Sequence, residues 1–354
     1  MAAVANEALA RQRRNKHMIA IAVDEPLILD VKADRQIAPG PGEVMVRVKR
    51  AGICGSDVHI LEGSNPFARY PRIIGHEMAG VVVAVGTGAV DVNTGDTVVI
   101  DPVISCGTCH ACQIGRSNVC VNLEVLGVHR DGGFRTFITV PSRNAVRVSP
   151  DLPIGVAALA EPFSIAANVL HQTGCTETDT MLVYGAGPIG LTVLQVAKLK
   201  GARCIVADLD GSRLEFARDF GADEVVLAKP GRVRAAVASE TNGLGPTVVV
   251  DATGEPSLLS EALHVVSPAG RIGLLGFSNR PVEVVQKEIV SKEIAIHGSR
   301  LSRRFLPDVV AWLENGELRP KAMIRDTFAA EDARAAFAQI RENRSSTIKV
   351  QLEF

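Results

Sequence analysis

Polar and apolar residues alternate along Gly42-Glu43-Val44-Met45-Val46-Arg47-Val48, the pattern of a half-buried strand. Residues 81–85 are apolar without a break and predict a fully buried strand. Thr97-Val98-Val99-Ile100 follows the turn signal Asn93-Thr94-Gly95-Asp96. Glycine and proline punctuate everything between about 18 and 150, which therefore reads as a β-rich unit. After Glu161 the rhythm changes. An apolar run at 181–184 leads into a glycine turn and a helical pattern over 188–200. A strand is expected at 203–207, a helix at 212–220, and further strands at 247–250, 271–275 and 293–297. Such alternation predicts a parallel sheet with helices on both faces. The fold class is α/β, a doubly wound sheet preceded by a β-rich domain.

Composition narrows the class. A chain of 354 residues suits two domains of roughly 150 residues each. Its 38 basic and 39 acidic side chains nearly cancel, which argues against general attraction to nucleic acid or anionic lipid. No apolar run reaches the ~20 residues of a membrane span, since 154–170 is interrupted by Glu161 and Pro162. Neither nucleic acid nor membrane is expected as a partner. Residues 1–17 contain basic side chains but no apolar core, so a secretory signal is not expected and a cytoplasmic setting is. They read as a disordered extension ahead of a fold beginning near Met18; a transit peptide is the alternative. Trp312 is expected in a helix core, and Cys175 and Cys204 read as packing residues.

Gly185-Ala186-Gly187-Pro188-Ile189-Gly190 is a G-x-G-x-x-G that follows an apolar strand and opens a helix, the context a dinucleotide site requires. Gly185 permits the tight turn, Gly187 admits a pyrophosphate close to the backbone, and Gly190 lets helix and strand pack closely. Asp208 ends the next strand, eighteen positions after Gly190. Its carboxylate would accept the adenosine ribose hydroxyls and repel a 2′-phosphate, which predicts NAD over NADP. Arg213 stands near enough to soften that preference. The plain alternative is an ordinary βα turn with a surface aspartate.

Of seven cysteines, four fall in the spacing C-x2-C-x2-C-x7-C at Cys106, Cys109, Cys112 and Cys120. Four thiolates fill a tetrahedral zinc shell and leave no open position, as structural sites do. Iron–sulfur proteins share the opening C-x2-C-x2-C, but their fourth cysteine follows after three residues and precedes proline. Cys54, His76, Glu77 and Glu161 offer sulfur, nitrogen and oxygen donors for a second metal, although spacing alone leaves each with an ordinary structural reading.

In chain order, Ala51-Gly52-Ile53-Cys54-Gly55-Ser56-Asp57-Val58-His59, Gly75-His76-Glu77, the four cysteines and the 185–190 glycines resemble the zinc-dependent medium-chain dehydrogenases, the alcohol and polyol dehydrogenase family. The resemblance runs from about Met18 to Phe354. It implies a GroES-like catalytic domain of residues 18–160 with 299–354, and a Rossmann NAD-binding domain of 161–298. It also implies two Zn2+ per chain, one catalytic and one structural, NAD, a small polyhydroxylated substrate, and a homodimer or homotetramer. Glu161 stands where alcohol dehydrogenases carry a second cysteine, as in the polyol and sugar-acid branch. Either Glu77 or Glu161 would then be the third ligand beside Cys54 and His76. Asn65-Pro66-Phe67-Ala68-Arg69-Tyr70-Pro71, the 125–134 loop and the stretch 161–168 are similar to bacterial sugar-acid 5-dehydrogenases acting on L-gulonate or L-galactonate.

The implied reaction takes a hydride from a secondary hydroxyl to the nicotinamide, with zinc as Lewis acid. Ser56 resembles the family's hydroxyl relay and His59 its outer proton acceptor. A substrate carboxylate needs a cationic partner, for which Arg300 is the first candidate and Arg130 the second; Arg300 could instead touch the cofactor. Thr253, Leu275 and Gly276 lie where the family's sheet meets the cofactor. A neutral polyol dehydrogenase, an L-threonine dehydrogenase, and a dinucleotide-binding sensor or structural protein without turnover are the competing readings.

Overall fold

The computed structural model describes residues 18–343 and 347–354. The extension expected at 1–17 lies outside the described residues. Packing divides the chain into two compact units. One runs to Glu161 and adds Leu306–Asn315 and Pro320–Phe354; the other comprises Pro162–Phe305 and Gly316–Arg319.

The first unit is built on a seven-stranded sheet. Its path runs Ala145–Arg147, Thr97–Ile100, Glu77–Val85, Glu43–Gly52, Lys349–Glu353 and Ile324–Ala329, with Phe137–Pro141 also pairing to Glu43–Gly52. In Glu43–Gly52, Val44, Val46 and Val48 are at 0–1% exposure and Arg47 points outward, but Met45 on the other face is buried as well, so the alternation is only partial. Two pairings matter for the site. Antiparallel register sets Gly52 opposite Glu77 and Gln351 opposite Gly52. The end of the chain is thereby stitched beside the residues that lead into Cys54. The apolar run 81–85 is not fully buried as expected. Val82 is sealed, but Val81 and Val83 are half-buried and Val85 is 38% exposed. An antiparallel sheet covers one face more completely than the other, and this strand carries valine on both.

The second unit is a six-stranded parallel sheet. Numbered in chain order from Thr180–Tyr184 to Ala295–Gly298, its strands lie 3-2-1-4-5-6. That is the dinucleotide-fold order, with its reversal between Thr180–Tyr184 and Val248–Asp251. Leu182, Ile205, Val249 and Ile272 form the centre of one helix-covered core with Val237 and Leu263. The strand expected from 293 begins at Ala295, because Glu293 adopts φ 50° and ends the helix Gln286–Lys292. The strand Glu224–Leu227 and the helices Arg232–Glu240, Ser257–Val265 and Gln286–Lys292 were not legible as separate elements in the pattern.

Residues 299–305 and 316–319 pack with this second unit. The Asn168 amide donates to Ser299 Oγ at 3.1 Å and Leu301 O at 2.9 Å, while Arg319 N donates to Gln195 Oε1 at 2.9 Å. Trp312 is half-buried, not a core residue. Its helix Leu306–Glu314 turns Leu306, Val309, Val310 and Leu313 inward and leaves the indole on the flank. Cys175 and Cys204 are buried, as expected of packing residues. By length and composition alone Ile154–Gln172 could cross a membrane, but 78% of its most apolar window is buried inside the protein.

Candidate active site

The four cysteines of the 106–120 loop converge. Sγ of Cys120 lies 3.4 Å from Cys106, and Cys109 lies 3.6 Å from Cys112 and 3.9 Å from Cys120. Zinc–sulfur bonds of ~2.3 Å at tetrahedral angles place sulfurs about 3.8 Å apart, so the four donors already describe that shell. Backbone N–H groups of Cys106 and Asn122 both donate to Cys120 Sγ at 3.3 Å. Hydrogen bonds from Thr108 bring the Cys106 thiol down to about 6, whereas burial pushes Cys112 up to about 11. A divalent cation is what would let all four ionise together.

A second donor group joins Cys54, His76 and Glu77, whose ligating atoms all lie within 4.8 Å of one another. Cys54 precedes the short helix Gly55–Leu61, and His76–Glu77 opens the strand Glu77–Val85. Asp57, fully buried, ties the two segments together. Its Oδ2 accepts Cys54 N at 2.9 Å, its Oδ1 accepts Gly75 N at 3.1 Å, and His76 Nδ1 stands 3.6 Å away. Gly75 must be glycine here: φ is +94°, and a Cβ would fall 2.0 Å from the Phe134 ring. His76 Nδ1 and Glu77 Oε2 are buried without hydrogen-bond partners among the described residues. Thiolate, imidazole and carboxylate with unsatisfied buried atoms suit a zinc ion that keeps a fourth position open.

Glu161 is not part of that trio. It occupies the first turn of Ala160–Gln172 and is buried. Burial pushes its carboxyl up to about 7; Glu77 adds to the rise, while His76 and Lys349 oppose it. Burial disfavours the charged His76, yet Asp57 and Cys54 hold it well above the usual imidazole range. Sequence reasoning missed Lys349. Its side chain is 2% exposed, its ammonium pairs with Glu77 Oε1, and it carries no signal in the chain because its position depends on strand pairing.

Ser56 Oγ lies 3.3 Å from His76 Nε2, at the trio. His59 lies on the same helix and is 61% exposed, with Nδ1 at 3.0 Å from Ser64 Oγ. Arg130 stands elsewhere, 3.6 Å from Glu124, on a separate cleft of about 390 Å3 shared with Arg72 and Arg135.

In the second unit a cleft of about 630 Å3 opens at the carboxyl ends of the strands. Gly185, Asp208, Arg213 and Thr253 line it, joined by Lys229 and Glu255, which the sequence reading did not single out. Gly185 has φ +96°, and a Cβ on Gly190 would sit 1.8 Å from Gly185 O, so helix and turn touch as the motif demands. Pro188 occupies the first turn of Pro188–Leu199, and Gly187 is its N-cap. The Gly187, Pro188, Ile189 and Gly190 side of the turn does not line the cleft. Leu275 N donates to Asp251 O at 3.1 Å, and a Cβ on Gly276 would fall 2.0 Å from the Gly254 Cα. Arg300 lies over the Phe277 ring at 5.9 Å.

A closed four-sulfur centre, an open sulfur–nitrogen–oxygen centre and a dinucleotide fold in one chain define a zinc-dependent dehydrogenase. The chain belongs to the zinc-binding alcohol dehydrogenase family, a family of dehydrogenases acting on CH–OH groups. Residues 40–150 match the alcohol dehydrogenase GroES-like domain, and 188–315 match the zinc-binding dehydrogenase domain. The chain is 45% identical over 342 residues to the starvation-sensing protein RspB of Escherichia coli K12, covering 95% of this chain and 99% of that one. It is 34% identical over 264 residues to the L-galactonate-5-dehydrogenase of the same organism, covering 74% and 77%. The crystal structure of rspB from E. coli CFT073 complexed with NADH superposes with TM-score 0.91 at 43% identity, covering 95% and 99%.

Proposed function

We propose that the protein is an NAD-dependent dehydrogenase that takes a hydride from a secondary hydroxyl of a sugar acid such as L-gulonate or L-galactonate. The carrying observation is the Cys54–His76–Glu77 donor group, in which Glu77 Oε2 is buried with no hydrogen-bond partner among the described residues. Zinc held there, with Glu77 as third ligand, supplies Lewis-acid polarisation of the substrate hydroxyl. A nicotinamide dinucleotide held on the 185–190 turn supplies the hydride acceptor.

The chain's own residues do the rest. Asp57 holds the backbones of Cys54 and of Gly75, the residue before His76, and sets its charge 3.6 Å from the His76 ring, which keeps the two donor segments together. Ser56, beside His76, accepts the proton released from the substrate hydroxyl as it gives up its own, and the exposed His59 is the outer group that passes a proton to water. Asp208 presents its carboxylate to the cleft, which supports NAD over NADP. Arg300, whose guanidinium lies over the Phe277 ring, is the cation that answers a substrate carboxylate. Resemblance to L-galactonate-5-dehydrogenase supports the sugar-acid class.

A screen of NAD reduction over sugar acids, neutral polyols and L-threonine tests this reading. Highest kcat/KM is expected with a sugar acid. Turnover confined to neutral polyols or L-threonine would replace the substrate class. Higher kcat/KM with NADP than with NAD would overturn the cofactor assignment.

A further inference from the structure

The two oxygens of Glu77 are treated unequally. Oε1 pairs with Lys349 Nζ, with the side chains 0% and 2% exposed, while Oε2 is buried and has no hydrogen-bond partner among the described residues. Lys349 Nζ also reaches Ile53 O at 3.4 Å, one residue before Cys54. The ammonium is delivered by the strand Lys349–Glu353, whose pairing with Glu43–Gly52 fixes its place, 272 positions along the chain from Glu77. An ammonium is a compact point charge that engages one oxygen closely, unlike the two-pronged guanidinium. Its charge also repels any other cation that approaches the same carboxylate.

Resting on the reading of Cys54, His76 and Glu77 as a metal centre, we propose that Lys349 is a positioning residue that competes with the metal for Glu77, holding one carboxylate oxygen and leaving the other to the ion. Two substitutions should then act in opposite directions. Lys349→Met removes the competitor and frees both oxygens. Lys349→Arg keeps the charge but can fork onto both oxygens and withdraw the carboxylate. A residue that served packing alone would weaken the site in both variants.

The test is Co2+ binding at this centre by chelator competition, in full-length protein that retains zinc at its four cysteines. Affinity is expected to rise about 10-fold in Lys349→Met and fall about 10-fold in Lys349→Arg, the scale of outer-shell effects on metal sites. The cobalt d–d bands should change in both variants as the number of bound carboxylate oxygens changes. In a Glu77→Gln background the Lys349→Arg effect should vanish, and this cycle decides the matter alone if Lys349→Met does not fold. Shifts of the same sign, no shift, or a Lys349→Arg loss that persists without Glu77 would overturn the proposal. Wild-type protein that takes up metal only at its four cysteines would instead overturn the reading of the centre itself.

Discussion

The Asp208 carboxylate accepts the backbone N–H of Ala186 at 2.7 Å through one oxygen and that of Asp210 at 2.9 Å through the other. The residue expected to read the ribose therefore also braces the glycine turn. Asp208→Ala is expected to lower stability by about 1–3 kcal/mol, since two backbone donors lose their acceptor. It should also raise the KM for NAD about 10-fold and shrink the preference over NADP. Thermal melts and parallel kinetics with both cofactors check this; an unchanged cofactor preference would confine Asp208 to the turn.

The four-sulfur centre makes a stoichiometric prediction. Cys112→Ser should reduce bound zinc from two ions per chain to one and lower the melting temperature. The donor set at Cys54, His76 and Glu77 remains complete, so one ion is retained. Elemental analysis of purified variant and wild type decides it.

Ser56→Ala removes a hydroxyl 3.3 Å from His76 Nε2. The expected result is a fall in kcat of about 100-fold, typical of lost proton transfer, with zinc content and melting temperature unchanged. Unchanged kcat would take Ser56 out of the relay.

Arg300→Ala should lower kcat/KM for sugar acids by about 10–100-fold, the value of a hydrogen bond to a charged group, and leave neutral polyols nearly unaffected. Asn168 holds this stretch through the backbone oxygens of Arg300 and Leu301, so the loop should keep its course in the variant. Equal losses for acids and neutral polyols would contradict a carboxylate role.

Asp179 gives the pH prediction. Burial raises its pKa, but donors on Thr247, Thr176 and Arg271 outweigh burial and hold it below the usual carboxylate range. A folded-state pKa below the unfolded one means that the stabilisation is complete above the unfolded value, about 3.9, and is lost as pH falls through the folded value. Asp179→Asn should therefore cost about 1–3 kcal/mol near neutrality, with the gap to wild type closing below about pH 4. Melting temperatures of both proteins across that range would show it; a gap that persists in acid would contradict it.

The parts of the site that were readable in the chain are local. The turn from Gly185 to Gly190 and the cysteines from Cys106 to Cys120 announce themselves because each needs special residues at short, set spacings. Cys54 and His76 were nameable only through their motifs, since nothing in the spacing says that they meet. Their meeting depends on Asp57 bridging two segments and on a register that sets Gly52 opposite Glu77. Tertiary structure alone brought Glu77 into the group with Cys54 and His76, exposed part of the 81–85 strand, and brought Lys349 onto Glu77 from the far end of the chain. Strand pairing between distant segments leaves no periodic trace in a sequence, so burial and partnership of that kind become visible only once the sheet is assembled.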